Sequence, residues 1–329
     1  MKIRYEEGIY IEGEGISIAM DASKMPRSQM ALVTHAHWDH CKAFWFDGLP
    51  KASTKATLEF VKVSGRSISR WTRIEIGQSL EVGDFRIKAH NAGHILGSVQ
   101  YDLRSGDYEV VYTGDLNLED TLISRAAQPI SCDILLIEAT YGHPSHARPP
   151  REAVINAIVE WSIQIIRKGF IPVLYADSLG NSQELISIFN RYTRIPVVVH
   201  EKIAKLSCIY KAHGFPLEFF DMGDFGEEEL NRCDHILLMP KGAKLKLTRR
   251  HKPALVSGWG DIGGFGMETF PLSDHADFGS LMGYVEESSP DLVLTVHGGA
   301  YDRVLAKAIE SSLGIRARPL NTGPWDSER

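Results

Sequence analysis

Three histidines and a carboxylate stand within six residues, His35-Ala36-His37-Trp38-Asp39-His40, directly after the apolar run MALVT. Imidazole nitrogens and carboxylate oxygens at this density are the ligand set of borderline transition metals, zinc above all. The same chemistry recurs singly at three further residues: His94 in AHNAGHILG, Asp115 in VVYTGD and His297 in LVLTVHGG. Together these make seven ligands, too many for one tetrahedral zinc and suited to two. His35, His37 and His94 are assigned to one ion, and Asp39, His40 and His297 to the other. Asp115, with two carboxylate oxygens, bridges them. Two ions roughly 3.5–4 Å apart activate water near neutral pH and stabilise both oxygens of an in-line displacement at phosphorus. Mn2+ is the alternative to Zn2+.

These residues need elements that bring them to one place. The first 142 residues read as short β segments with polar turns, several of them ending on His, Asp or Glu. A strand that stops at a titratable residue sets that side chain on the sheet rim, where open α/β sheets bind ligands. From about residue 150 the texture changes. REAVINAIVEWSIQIIRK runs at helical period and stops at Gly169. Strand FIPVLY, helix SQELISIFNRY, strand IPVVV, helix EKIAKLSCIYKAHG and strands HILLM and ALVS follow. That alternation predicts a parallel, Rossmann-like sheet. After residue 270 the rim pattern returns. The expected organisation is an α/β host in two parts, 1–142 and 272–329, with an inserted domain over 143–271.

Composition sets outer bounds. The 329 residues are 43% hydrophobic and 24% charged, the profile of a globular chain with a core rather than a disordered one. No apolar stretch approaches the roughly 18 residues of a membrane span. The acidic amino terminus does not read as a signal peptide. Four separated cysteines without a CxxC pair fit a reducing compartment, so a cytoplasmic location is expected. A net charge of −6 argues against coating nucleic acid by bulk charge, and leaves a local basic groove as the route to phosphate.

HAHWDH, His94 and Asp115 resemble the metallo-β-lactamase fold, an αββα sandwich with metals on the shared rim. Glu138 in IEATYG, His275 in LSDHADF and His297 in VHGG resemble the three further motifs of the β-CASP nucleases, whose inserted domain walls a nucleic-acid groove. AGHILGSVQ, EATYG, VSGW, PLSDHADF and RARPLNT extend the likeness, over almost the whole chain, to the small DNA-ligase-associated exonucleases. The resemblance implies a binuclear zinc nuclease on single-stranded or end-frayed nucleic acid. It implies DNA in preference to RNA, with a DNA ligase or other repair proteins as partners. Related short archaeal proteins are RNA-processing factors, so an RNA 3′-end-processing exo- or endonuclease is the alternative. A small-molecule metallo-hydrolase and an inactive metal-binding subunit fit less well. The first leaves Glu138, His275 and the insert without a role; the second expects a missing ligand.

His275 is not among the seven ligands, and the departing oxygen of a phosphodiester needs a proton, so His275 is the expected general acid. Glu138 holds it as imidazolium, and Asp39 completes the catalytic group. Asp21, in IAMDAS, reads either as a carboxylate orienting the ligand rings or as an ordinary turn aspartate. Gly180, Asn181 and Ser182, before a helix, can cradle a phosphate on backbone N–H groups. Asn181 stands where relatives place a cation. The run KGAKLKLTRRHK can replace that cation, through Lys246 and Arg249 with Lys241, Lys244 and Arg250, or be a solvated loop.

Overall fold

The computed structural model describes residues 1–245, 250–259 and 267–327, and the chain divides into two compact units. The first comprises Met1–Asp120, Ser124–Ala147 and His275–Arg329, the second Thr121–Ile123 and Arg148–Asp274. No helix among the described residues is long and apolar enough to cross a membrane.

The first unit opens with β1 (Lys2–Tyr5), β2 (Ile9–Glu12), β3 (Ser17–Met20), β4 (Met30–Leu32), β5 (Lys51–Ser53), helix α1 (Lys55–Lys62) and β6 (Trp71–Arg73). Then come β7 (Ser79–Val82), β8 (Phe85–Asn91), β9 (Val99–Ser105), β10 (Tyr108–Tyr112) and β11 (Ile134–Glu138). The second unit contributes α2 (Arg151–Arg167), β12 (Ile171–Ala176), α3 (Asn181–Tyr192), β13 (Val197–Val199) and α4 (Glu201–Ala212). It continues through β14 (Phe220–Asp221), α5 (Glu227–Leu230), β15 (Ile236–Pro240), β16 (His251–Val256) and β17 (Glu268–Phe270). The chain returns to the first unit with α6 (Phe278–Ser288), β18 (Leu292–Val296), α7 (Ala300–Leu313), β19 (Arg316–Pro319) and β20 (Trp325–Asp326).

Two seven-stranded mixed sheets build the first unit, in the orders β20-β1-β2-β3-β4-β5-β6 and β19-β18-β11-β10-β9-β8-β7. The residue pattern dictates their burial. In β8, Phe85, Ile87 and Ala89 alternate with Arg86, Lys88 and His90, and only the apolar set is in the core. The adjoining β11 and β18, ILLIE and LVLTV, are buried at every position, as interior parallel strands must be. One core cluster takes side chains from both sheets, Ile9, Ile11 and Ile18 meeting Ile87, Tyr101 and Leu136. Each such residue contributes about 1.5–3 kcal/mol of burial. Helices α6 and α7 lay Leu281, Tyr284, Leu305 and Ile309 on the other set of the second sheet, Val111, Leu135, Ile137 and Val293. Helix α1 and the turn Lys42–Trp45 cover the first sheet through Phe44, Leu58 and Val61, against Ala31 and Val33.

The second unit is a six-stranded, wholly parallel sheet, β14-β13-β15-β12-β16-β17. Strands β12, β13 and β15 are buried but for the half-buried Tyr175, and helices α3, α4 and α5 form the crossovers that link β12, β13, β14 and β15 in parallel. Gly169 turns the chain at φ +75° just beyond α2, the left-handed position expected of a helix-ending glycine. A fork of Arg151 on the buried Glu184 ties α2 to α3.

Gly93 shows how closely backbone meets backbone at the second sheet's rim. Its φ is +73°, and a Cβ there would lie 2.2 Å from the Asn117 carbonyl oxygen and 2.7 Å from the Ala127 nitrogen. Neither backbone atom belongs to a flexible side chain. Gly93→Ala is therefore expected to lower stability by about 2–3 kcal/mol. A denaturant titration checks it; an unchanged midpoint contradicts the close approach.

Candidate metal centre

Strand ends assemble the site in the first unit. Residues 34–40 follow β4, His94 follows β8, Asp115 follows β10, Glu138 ends β11 and His297 follows β18. Gly114 passes at φ +54°, where a Cβ would sit 2.8 Å from Thr34 Cβ; the missing side chain lets the β10 end approach the β4 loop. His297 itself adopts φ +63°, a strained backbone for a side chain with a Cβ.

His35, His37, His94 and Asp115 each present one donor atom, and all four lie within 4.8 Å of one another. His37 Nδ1 is 3.2 Å from His35 Nε2 and 3.0 Å from His94 Nε2. Asp115 Oδ2 is 3.4 Å from His35 Nε2 and 3.8 Å from His94 Nε2. A tetrahedron with bonds of about 2.0–2.1 Å has edges of about 3.3–3.4 Å, so this set fits a zinc-sized ion. Nitrogen lone pairs converging in a buried space also require a cation or proton between them.

The second expected set surrounds His40. Its Nε2 is 3.6 Å from Asp39 Oδ2 and 3.4 Å from Asp115 Oδ1, and its ring centre is 4.8 Å from that of His297. The structure therefore brings all seven sequence-assigned residues to one rim, with the two oxygens of Asp115 facing the two groups.

Asp21 resolves to the orienting role. Buried at φ +47°, it accepts from Thr34 N–H at 2.8 Å, Thr34 Oγ1 at 2.7 Å and Tyr112 OH at 2.8 Å, and meets His40 Nδ1 at 2.8 Å. A carboxylate only accepts, which sets the protons around it. His40 donates to Asp21 from Nδ1 and turns Nε2 to the site. Thr34, donating to Asp21, accepts from His35 Nδ1 at 3.0 Å and leaves His35 Nε2 with its lone pair. Tyr112, likewise donating, accepts from His297 Nε2 at 2.9 Å, so the lone pair of His297 is on Nδ1. Thr34 and Tyr112 went unremarked in the sequence. A Tyr within VVYTGD looks like any inward strand residue, and only the contact with Asp21 distinguishes it.

Charge at this rim is balanced by protons. Burial, with His40 beside it, holds His35 well below its ordinary pKa and keeps it neutral. His297 is lowered by burial and again by His40. For His40 burial opposes charge, but Asp115, Asp21 and Asp39 push it up to about 10. Burial would raise Asp115, yet His40, His275 and His35 keep it well below the usual carboxylate range. The carboxylates thus demand positive charge, which a bound divalent ion would supply in place of the His40 proton.

His275 Nδ1 lies 3.2 and 3.3 Å from the two oxygens of the fully buried Glu138, and its Nε2 is 3.9 Å from Asp115 Oδ2. Glu138 is anchored in turn by the Leu116 N–H. Cys41 is buried and packs with Ala43 and Phe44.

The candidate phosphate contacts belong to the second unit. Gly180 N–H is taken by Gln183 Oε1 at 2.8 Å, Ser182 Oγ donates to the Asp177 carbonyl at 2.6 Å, and Asn181 Nδ2 reaches Asp177 Oδ2 at 3.5 Å. The loop spends these donors on itself. Lys241 is held by Asp177 Oδ2 at 2.6 Å and Ser257 Oγ at 3.1 Å. Lys244 and Arg250 are exposed. Lys246 and Arg249 lie outside the described residues.

No family model matches the chain. Over 314 residues it is 30% identical to a probable DNA ligase of Opitutus terrae, covering 91% of this chain and 29% of that protein. It is 26% identical to an RNase J-like protein of Methanocaldococcus jannaschii, covering 55% of this chain and 49% of the relative. To cleavage and polyadenylation specificity factor subunit 3 of Dictyostelium discoideum it is 29% identical, over 52% of this chain and 26% of the relative. The chain thus spans less than half the length of these relatives. In fold it is similar, at a TM-score of 0.69 and 13% identity, to a protein of unknown function from Enterococcus faecalis V583, covering 98% of this chain and 99% of that one.

Adding zinc to metal-depleted protein at pH 7 is expected to release at least one proton per chain, and affinity should rise with pH up to about 10, where His40 no longer holds its proton. A pH indicator in weak buffer reads the release; zinc uptake without it contradicts the charge balance. Asp21→Asn should weaken zinc binding about 10- to 100-fold.

Proposed function

We propose that the chain is a metal-dependent nuclease of the β-CASP branch of the metallo-β-lactamase fold, hydrolysing nucleic-acid phosphodiesters with two zinc ions. In this reading the first unit is the metallo-β-lactamase sandwich and the second the inserted β-CASP domain. The observation that carries it is the pairing of His275 with Glu138 beside a rim that gathers seven candidate metal ligands.

His35, His37, His94 and Asp115 would hold one ion, and Asp39, His40, His297 and Asp115 the other. Bound zinc supplies electrophilic charge for the phosphoryl oxygens and lowers the pKa of water. The remaining chemistry belongs to the chain. Asp21, Thr34 and Tyr112 keep the ligand rings in one tautomer. Glu138 accepts from His275 Nδ1 and favours its imidazolium, leaving Nε2–H as the proton donor for the departing oxygen.

RNA is the favoured substrate, because two of the three relatives compared carry RNA-processing names: RNase J-like protein and cleavage and polyadenylation specificity factor subunit 3. The expected preference for DNA is accordingly demoted to the second reading. One observation keeps it there: the relative named as a probable DNA ligase is matched over 91% of this chain.

End-labelled single- and double-stranded RNA and DNA, digested in parallel, test the proposal; zinc-dependent cleavage of single-stranded RNA is the expected result, and intact strands of every kind would defeat it. His275→Ala should retain its zinc and lose about 10²–10⁴ in turnover. The loss should shrink on a nitrophenyl phosphodiester, whose leaving group needs no proton. An equal loss on both substrates would remove His275 from that role.

A further inference from the structure

Trp38 occupies the centre of the metal-ligand loop, between His37 and Asp39, and is 63% exposed, more than any other large hydrophobic residue among those described. An indole in water forgoes the stabilisation that burial brings. A surface loop can accept a polar residue at such a position. The surroundings show that the ring is held rather than dangling. His40 and Cys41 both donate their N–H to the His37 carbonyl, at 3.1 and 3.0 Å, closing a tight turn around Trp38. The next residues, Cys41, Ala43 and Phe44, are buried in one apolar cluster, and Trp45 packs against it. Trp45 meets the Trp38 ring in a T-shaped contact, with centroids 4.9 Å apart and planes at 73°. Arg66 fixes Trp45 in turn, donating to its carbonyl at 3.1 Å with the guanidinium 6.0 Å from the ring centre.

We propose that Trp38 is a stacking platform for a nucleobase of the strand, that of a nucleotide flanking the scissile phosphate. This rests on the nuclease reading above. The occupant follows from position and chemistry. Consecutive residues sit about 3.8 Å apart, so a ring between two ligand residues lies within one nucleotide's reach of a phosphate held at the metals. A nucleobase brings a neutral π-face of its own, the surface that an exposed and braced indole accepts. Stacking accepts every base, so Trp38 adds affinity and register without reading sequence. It places the base while His275 and the metal ligands act on the phosphate, which makes it a positioning residue rather than a catalytic one.

The test uses zinc-loaded protein and a short single-stranded oligonucleotide, of RNA or DNA according to which is cleaved, together with the same strand lacking one base beside the cleaved bond. Trp38→Ala is expected to raise KM about 5- to 100-fold, with a much smaller change in kcat and unaltered zinc content. Trp38→Phe, which keeps an aromatic face, should recover most of that loss. Removing the base should cost the unaltered protein a similar factor and cost Trp38→Ala nothing further. Tryptophan fluorescence of the unaltered protein should be quenched by a cleavage-resistant phosphorothioate strand, and Trp38→Phe should lose that component. An unchanged KM in Trp38→Ala, or a full loss that persists on the abasic strand, overturns the stacking role while cleavage itself upholds the nuclease reading. Failure of the unaltered protein to cleave any strand overturns both.

Discussion

A buried carboxylate that can only accept hydrogen bonds organises this molecule. Asp21 leaves β3 of the first sheet, and its acceptor positions are filled by Thr34 beyond β4, by Tyr112 of β10 in the second sheet and by His40 in the ligand loop. Removing one partner of such a buried charge costs about 3–5 kcal/mol, so the two sheets, the ligand loop and the ring tautomers stand together. The strained φ of Asp21 and of His297 is tolerated for the same reason: their surroundings hold each side chain from several directions.

From that constraint the division of labour follows. The sheets contribute stiffness, because a core shared between them fixes where each strand ends. Tyr101 of β9 reinforces the join by donating to the Val33 carbonyl at 3.0 Å, and Val99 N–H donates to the Thr34 carbonyl at 3.0 Å. Strand ends contribute chemistry, because the next residue projects over the rim instead of into the core. Five such ends carry His35, His94, Asp115, Glu138 and His297, and close backbone approaches at Gly93 and Gly114 let them converge. The same economy explains why Glu138 needs the Leu116 N–H: a carboxylate with no solvent contact must be satisfied by the protein on every side.

In the second unit, several polar groups that look available in the sequence are used locally. The loop before α3 folds its donors inward, and Lys241 is consumed by Asp177 and Ser257. His200 acts as a helix cap, accepting from Lys202 N–H at 3.1 Å through Nδ1. Such pairings satisfy the unit's own backbone and side chains.

The sequence by itself determined the local features. Apolar alternation in FRIKAHN and unbroken apolar runs in ILLIE and LVLTV set which strands are half-buried and which are interior, because period and hydrophobicity act over neighbouring residues. The density of HAHWDH, and the habit of strands ending on His or Asp, singled out the candidate metal ligands, since each signal is contained in a few adjacent positions. Tertiary structure decided the rest. That Glu138 faces His275, that Tyr112 joins Asp21 to His297, and that Trp45 braces an exposed Trp38 beside the ligands depend on contacts through space. The first two cross 137 and 185 positions of chain. No local period or composition marks such pairs; they exist only once two sheets have closed on a common core and the glycine-lined rim has let their ends meet.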